Sequence, residues 1–417
     1  MHGLKHLMVL TLQRWFFMND YTIYKKEEIK YLEKEFKSII LSNYTLIDYS
    51  NLKRNLFISR LSRQNIPITN NHVNALNLFS NSTIKFKYSY LRYDSLIEYD
   101  DFIHKFYNIN EKHIRTKVFF TNSGMSAITT SLLAIKKVLK KIQIILPEED
   151  IYFETFDFIN KYELSDSDSN YDILYLDTIS KKFDVKENMN LIKDSKKIFA
   201  IIIDTTCFLP KDLKKIIDYS IEFCIPVILL RSHTKLDMMG SEISGLGSIV
   251  YLIPKTNNDF ELLKNIIFET YYLLGKFGSF CLPNNFPEEI FTTNFKKINY
   301  NRIRRIEKNN FELYLYLKKE INKGNVLLPN HKKFVLYCLE KSLNDDVQLN
   351  YLQDKIEKIT NNNVNFLHAC SFGFDYIALD VYYDINIKNY VIRISMNDCF
   401  PDAKKYKLIG EFINDYI

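Results

Sequence analysis

Residues 225–242 read IPVILLRSHTKLDMMGSE, and their reading decides the fold. The first six are bulky and apolar throughout, the pattern of a strand buried on both faces of a sheet. The chain then presents Ser232, His233, Thr234 and Lys235 in succession. A solubilising lysine does not need a buried strand beneath it, so this lysine asks for a chemical reason. Working outward, KVFF (117–120), IQIILP (142–147), YDILYLD (171–177), IFAIIID (198–204) and GSIVYLI (247–253) repeat the strand pattern. Helical stretches such as AITTSLLAIKKVLKK (127–141) and PKDLKKIIDYSIEFC (210–224) separate them. Apolar strands alternating with helices predict an α/β fold with a mostly parallel sheet covered on both faces. Ligands of such sheets gather at the carboxyl ends of the strands. Lys235, Asp204 and Ser123 all fall at or just after strand ends, on one rim.

Length and composition set the outer bounds. A chain of 417 residues, 47% apolar and 25% charged, can bury a large core and form two domains with an extra segment. The formal charge of +6 arises from 56 basic and 50 acidic residues with no basic block, so nucleic acid is not an expected partner. Six scattered cysteines form no CxxC pair and no zinc spacing, so reduced thiols and no metal are expected. No apolar stretch has the length of a membrane span, and the opening residues lack a signal-peptide pattern. The expected location is cytoplasmic, with no membrane partner. Residues 1–84 read as a helical segment whose charged helix KKEEIKYLEKEFKSIILSNY (25–44) has a solvated face. Residues 85–265 read as the large α/β domain and 266–417 as a smaller α+β domain.

Four features along the rim carry the chemistry. FFTNSGMSAITTSLLAI (119–135) runs strand, turn, helix, and Gly124 permits the turn. The helix start offers N–H groups to a phosphate, although neither GK[ST] nor GxGxxG is present. Tyr152, in EEDIYFETF (148–156), stands where a ring can stack on a flat ligand. Asp204 closes IFAIIID, where a carboxylate is costly unless paired, and a protonated ring nitrogen is one good partner. Taken singly, each has an ordinary structural explanation: a bare turn, a packing tyrosine, a turn aspartate. Together with Lys235 they describe a site for pyridoxal 5′-phosphate, with Lys235 as the Schiff-base residue and Ser232 and Thr234 as further phosphate donors.

With these residues in hand, the chain resembles the fold-type I pyridoxal phosphate enzymes of cysteine and methionine metabolism, the cystathionine gamma-synthase and methionine gamma-lyase group. The family's phosphate turn is similar to Ser123-Gly124-Met125, its stacking tyrosine motif to YFET (152–155), and its Ser-x-Thr-Lys to SHTK (232–235), with a looser echo of the following glycine in GSE (240–242). ACSFGF (369–374) is similar to the stretch near the substrate, which points to Ser371. VIRISMND (391–398) is similar to the segment whose arginine clamps the substrate carboxylate, which points to Arg393. KYSYLRYDSLIEYDDFI (87–103) is similar to the segment that reaches a neighbouring subunit's phosphate, through Tyr88 or Tyr90 and Arg92. The resemblance implies an aspartate aminotransferase-like fold and a homodimer or homotetramer. It also implies an amino-acid substrate undergoing elimination or replacement at Cβ or Cγ, with Lys235 and Tyr152 catalytic. A pyridoxal phosphate aminotransferase, or a non-catalytic partner protein on the same fold, is the alternative.

The chain also departs from the family pattern. A strand–helix unit is missing between the tyrosine and the lysine. It is lost either before Asp204 or in such a way that Asp204 shifts to an earlier strand and Arg231 nears the ring nitrogen. Phe153 and Glu154 replace two glycines and are expected to crowd or charge the pocket. His233 reads as a satisfied structural histidine.

Overall fold

The computed structural model describes residues 21–37, 44–61, 100–109, 112–147, 151–194, 198–281, 286–321, 324–339, 346–362, 366–384, 387–399 and 403–414. They form two compact units. One draws on residues 58–238 and 242–292, the other on 1–57, 239–241 and 293–417. The segment 266–292, which the sequence pattern assigns to the C-terminal domain, is thus grouped with the large sheet, and the described N-terminal helices are grouped with the C-terminal residues.

The larger unit is built on a six-stranded sheet. Its strands are β1 (Ile114–Thr121), β2 (Ile142–Ile145), β3 (Tyr171–Asp177), β4 (Ile198–Asp204), β5 (Val227–Ser232) and β6 (Gly247–Pro254), in the order β1-β6-β5-β4-β3-β2. The run from β2 to β5 is parallel, and β6 is antiparallel to both β5 and β1. Alternate strand residues, among them Ile173, Tyr175, Ile202, Ile228, Leu230 and Tyr251, share one core with the helices Gly124–Leu139 and Phe260–Phe277. The intervening residues Leu174, Ile201, Ile203, Val227 and Leu229 are just as buried. Both faces are therefore covered, which is why the strands read as continuous apolar runs and not as alternations. The helix Gly124–Leu139 fits because Ile128, Leu132, Ile135 and Leu139 recur on one face.

The smaller unit carries a five-stranded sheet, β7 (Asn325–Leu327), β8 (Val335–Cys338), β9 (Phe366–His368), β10 (Ile377–Asp384) and β11 (Asn389–Ser395), ordered β7-β8-β11-β10-β9. Only β9 and β10 pair in parallel. Its core joins Leu313 and Leu317 of the helix Thr293–Glu320 to Ile392, Ile394, Ile409 and Ile413.

The helix Tyr21–Phe36 does not have the purely solvated charged face expected of it, and the helix Leu46–Leu61 packs a charge beside it. Lys25, Glu28 and Lys53 are buried, the two lysines paired with Glu28 and with Asp375, and Lys25 also with Asp398. Lys25 Nζ lies 2.6 Å from Asp375 Oδ1 and 2.8 Å from Asp398 Oδ1. Lys53 Nζ lies 2.7 Å from Glu28 Oε1, 2.6 Å from Asp375 Oδ2, and donates to the Met239 carbonyl at 2.6 Å. Arg302 joins the cluster through the Gly373 carbonyl at 2.7 Å, and Tyr49 through Glu28 at 2.7 Å. Burial pushes both aspartates up, but Lys25 and Arg302, with Lys53 also at Asp375, outweigh it and hold them below the usual carboxylate range. No helix among the described residues is long and apolar enough to cross a membrane.

Removing one partner of such a cluster leaves opposite charges buried and unpaired. The substitution Lys53→Met is expected to lower unfolding free energy by about 3–5 kcal/mol, read by urea denaturation. Because the folded-state pKa values of Asp375 and Asp398 are depressed, their contribution is fully present above about pH 4 and is lost as pH falls through the folded values. In the variant Asp375 has lost one of its cations, so the limb should still begin near pH 4 but be shallower and end at higher pH.

Candidate functional site

The parallel strands deliver their last residues to one edge of the larger sheet. There the residues Ser123, Gly124, Met125, Tyr152, Asp177, Asp204, Thr206, Ser232 and Lys235 line a cleft of about 570 Å³, counting the space at its mouth. Six of the sequence-predicted residues that lie on strand ends or their following turns meet here with Tyr152.

One wall is the start of the helix Gly124–Leu139. Ser123 is its N-cap in extended conformation, and its Oγ accepts from the Ser126 N–H at 3.0 Å. The Ser123 hydroxyl donates to Ser126 Oγ at 3.0 Å, and Ser126 in turn donates to Asn122 Oδ1. The N–H groups of Gly124 and Met125 have no acceptor within the helix, as in any first helical turn. Gly124 is required by close approach: a Cβ there would stand 2.6 Å from Ser232 Cβ and 3.1 Å from its Cα. The end of β5 and the helix start are thus packed backbone to backbone.

Two carboxylates form the floor. Asp177 and Asp204 end β3 and β4 and are direct partners in the ladder. Asp177 accepts from the N–H groups of Tyr152 and Ile179, both at 2.9 Å. Asp204 Oδ1 accepts from the Thr206 N–H at 2.9 Å and from its hydroxyl at 2.6 Å. The Thr206 hydroxyl oxygen in turn accepts from the Ser232 N–H at 3.0 Å, tying β4 to β5. The carboxylates are only 4% and 7% exposed. Burial, and then the charge of Asp204, push the Asp177 carboxyl up to about 8. Burial also raises Asp204, against the bonds from Thr206 and the charges of Lys235 and Arg231.

Lys235 sits on the one-turn helix His233–Leu236 that follows β5, with Nζ 4.9 Å from the centre of the Tyr152 ring. Tyr152 stands at the N-terminus of the helix Phe153–Lys161, its backbone fixed by Asp177. Phe153 and Glu154 do not crowd the pocket: both point outward, Phe153 being 55% exposed, because they occupy the outer side of that helix start. Thr234 does not line the cleft. Its hydroxyl donates to the Ser244 carbonyl at 3.3 Å and accepts from the Leu246 N–H at 3.4 Å, closing the loop into β6. Nor does Arg231 line the cleft. It is buried and bonded to Asp237, while Asp204 keeps its place at the end of the strand adjoining β5. His233 is fully buried and bonded at both ring nitrogens, as expected.

Arg393 and Ser371 belong to the smaller unit. Arg393 donates to Asp380 Oδ2 at 2.8 Å with its guanidinium over the Phe334 and Tyr382 rings, and Ser371 is half-buried. Tyr88, Tyr90 and Arg92 lie outside the described residues. Sequence reasoning missed Asp177 and Thr206. Asp177 closes YDILYLD just as Asp204 closes IFAIIID, so the same signal was available. Among the described residues no cluster of side chains is arranged to hold a metal ion.

No protein-family model and no curated protein matches the chain in sequence. Solved structures do match in shape. With cystathionine gamma synthase from Xanthomonas oryzae pv. oryzae, in complex with cystathionine, the TM-score is 0.53 at 14% identity, covering 88% of this chain and 99% of that one. With the broad specificity aminotransferase from Leishmania mexicana it is 0.50 at 12% identity, covering 87% and 95%. At these identities the likeness is one of fold, and the chain has the aspartate aminotransferase-like α/β fold.

Proposed function

We propose that this chain is a pyridoxal 5′-phosphate-dependent enzyme acting on an α-amino acid, with Lys235 as the residue of covalent attachment. The observation that carries the reading is the stacking of Lys235 Nζ over the Tyr152 ring in the same cleft as the Asp204 carboxylate. The cleft residues fit that cofactor. Gly124 lets the helix start close against Ser232 at the end of β5, which brings the two donor segments together, and the donor set at the helix start suits a phosphate dianion. When bound, the cofactor supplies an electron sink that stabilises negative charge at the substrate α-carbon.

The chain's own residues divide the remaining work. The N–H groups of Gly124 and Met125 and the Ser232 hydroxyl receive the phosphate. Tyr152 offers the flat face against which an aromatic ring packs, and Asp177 keeps that face in place through the Tyr152 N–H. Asp204 holds a proton on a ring nitrogen, and a cation there stabilises the ionised carboxylate that burial otherwise disfavours. Lys235 Nζ takes the proton from the substrate α-carbon and returns it, as general base and then acid. The neutral pull of burial on Asp177 and Asp204 keeps the cleft from accumulating two full negative charges beside that carbon. We infer elimination or replacement at Cβ or Cγ as the reaction class, supported by the order of Ser-Gly-Met, Tyr-x-x-Thr and Ser-x-Thr-Lys along the chain.

The first test is the visible spectrum of the purified protein given pyridoxal phosphate, followed by borohydride reduction and peptide mapping. A visible band that reduction discharges, with the label on Lys235 and lost in Lys235→Arg, is the expected result. A colourless protein with no labelled lysine would sink the reading. Asp204→Asn should keep the label but lower turnover of a responsive amino acid by about 10²-fold or more, the scale of one preorganised electrostatic contact. Gly124→Ala should weaken cofactor affinity by about tenfold, or roughly 1.4 kcal/mol, because its Cβ must displace the end of β5; fluorescence titration reads this.

A further inference from the structure

The helix that carries Lys235 spans only His233–Leu236. One turn cannot sustain itself, since nucleation costs more than a single turn returns. Side chains on either side hold it instead. Arg231, two residues before it, places Nε 2.6 Å from Asp237 Oδ2 and Nη2 2.7 Å from Asp237 Oδ1, a two-point pairing that spans the helix end to end. Its Nη1 donates to the carbonyls of Thr205 and Phe208, in the loop that follows Asp204. Within the helix, His233 Nδ1 lies 2.8 Å from Asp237 Oδ2, and its Nε2 lies 2.9 Å from Ser248 Oγ on β6. The Phe106 ring packs against both the guanidinium and the imidazole, and Phe291 against the imidazole.

Burial pushes Asp237 up, but the Arg231 guanidinium outweighs it and holds the carboxyl down to about 2. Burial lowers His233. His233 is therefore neutral: Nδ1–H donates to the ionised Asp237, and Nε2 accepts from the Ser248 hydroxyl. Ser248, His233 and Asp237 have the connectivity of an acyl-transfer triad. At 0%, 0% and 2% exposure, however, they leave no room for a substrate at Ser248 Oγ. Any influence on chemistry has to pass through Lys235.

We propose that Arg231 and Asp237, joined by His233, are the positioning residues of Lys235, setting the height of its Nζ over the Tyr152 ring. This rests on the reading of Lys235 as the attachment residue. A buried ion pair adds little that an apolar pair of similar volume would not supply to stability. What the apolar pair lacks is direction: the fork of a guanidinium on a carboxylate fixes distance and angle together. The clamp grips the backbone at both ends of the turn and the loop beyond Asp204, so Lys235 and Asp204 are referred to one frame. Tyr152 is referred to the same sheet edge by Asp177.

The test compares the wild-type chain with the double variant Arg231→Met/Asp237→Leu, which removes the fork without leaving a buried charge, and with Arg231→Lys, which keeps charge but loses the fork. Affinity for pyridoxine 5′-phosphate, which lacks the aldehyde and so reports only the non-covalent contacts, should fall by less than the trapped fraction in both, because the Gly124 and Met125 N–H groups are untouched. The fraction of Lys235 trapped by borohydride should fall about tenfold or more, as a misplacement near 1 Å would cause. In the absence of any cofactor, trinitrobenzenesulfonate should label Lys235 about fivefold faster, as the unclamped turn opens. Wild-type trapping and labelling rates in variants that melt like wild type would overturn the proposal. If the double variant does not fold, Arg231→Lys decides on the same readouts. If wild type itself is never trapped, the cofactor reading fails, and the labelling rates alone decide the clamp: faster in the variants supports it, unchanged overturns it.

Discussion

A parallel strand is re-entered only after a crossover has carried the chain back to the starting edge, so β2 to β5 must all finish on the same side of their sheet. Everything in the cleft follows from that constraint. Tyr152 comes after β2, Asp177 ends β3, Asp204 ends β4, and Ser232 ends β5. Residues distant in sequence become neighbours without any loop having to search for them. The reversed strand β6 then starts at this edge, with Gly247 paired to both Thr121 and Ser232, and closes the gap between the β5 end and the β1 end. The close approach of Gly124 and Ser232 is the tightest consequence of that arrangement.

The strands were legible because burial on both faces leaves no polar residue to break the run, and IFAIIID or IPVILL can hardly be read otherwise. Ser123, Asp204 and Lys235 were legible for a related reason: a polar group at or just after the end of an apolar strand is conspicuous, and Gly124 and Tyr152 stood out by the turn and the strand-to-helix junction they mark. Asp177 carried the same mark, yet the tyrosine before it in YDILYLD and the polar turn after it made it look ordinary. Thr234 was misplaced because a hydroxyl one residue from the lysine can turn either way, and the loop into β6 claims it. The outward direction of Phe153 and Glu154 depends on the helix phase at Tyr152, which residue type does not encode. The Arg231–Asp237 pair was invisible since each residue, taken alone, is an unremarkable surface type. The same blindness hid Lys25, Glu28 and Lys53, whose helical spacing becomes informative only once lysine and glutamate are allowed on the buried face.

Buried charge is thus used in two ways within the chain. In the smaller unit a cluster of three acids, two lysines and an arginine ties helices at the start of the chain to strands and loops near its end. Its cost of desolvation is offset by mutual attraction only while every member is present. In the larger unit the charges are fewer and the geometry is finer: one arginine, one carboxylate and one neutral imidazole spanning a single turn. The first arrangement resists partial unfolding. The second fixes a side chain.

The paired acids at the ends of β3 and β4 have one more effect. Burial raises both carboxyls, and the charge of Asp204 adds to the rise at Asp177, so the pair favours keeping a proton over holding two full charges. A cation that settles against them will expel that proton, whereas an anion will retain it or draw one in. The sheet edge acts as a small proton store, emptied by a cation and kept filled by an anion.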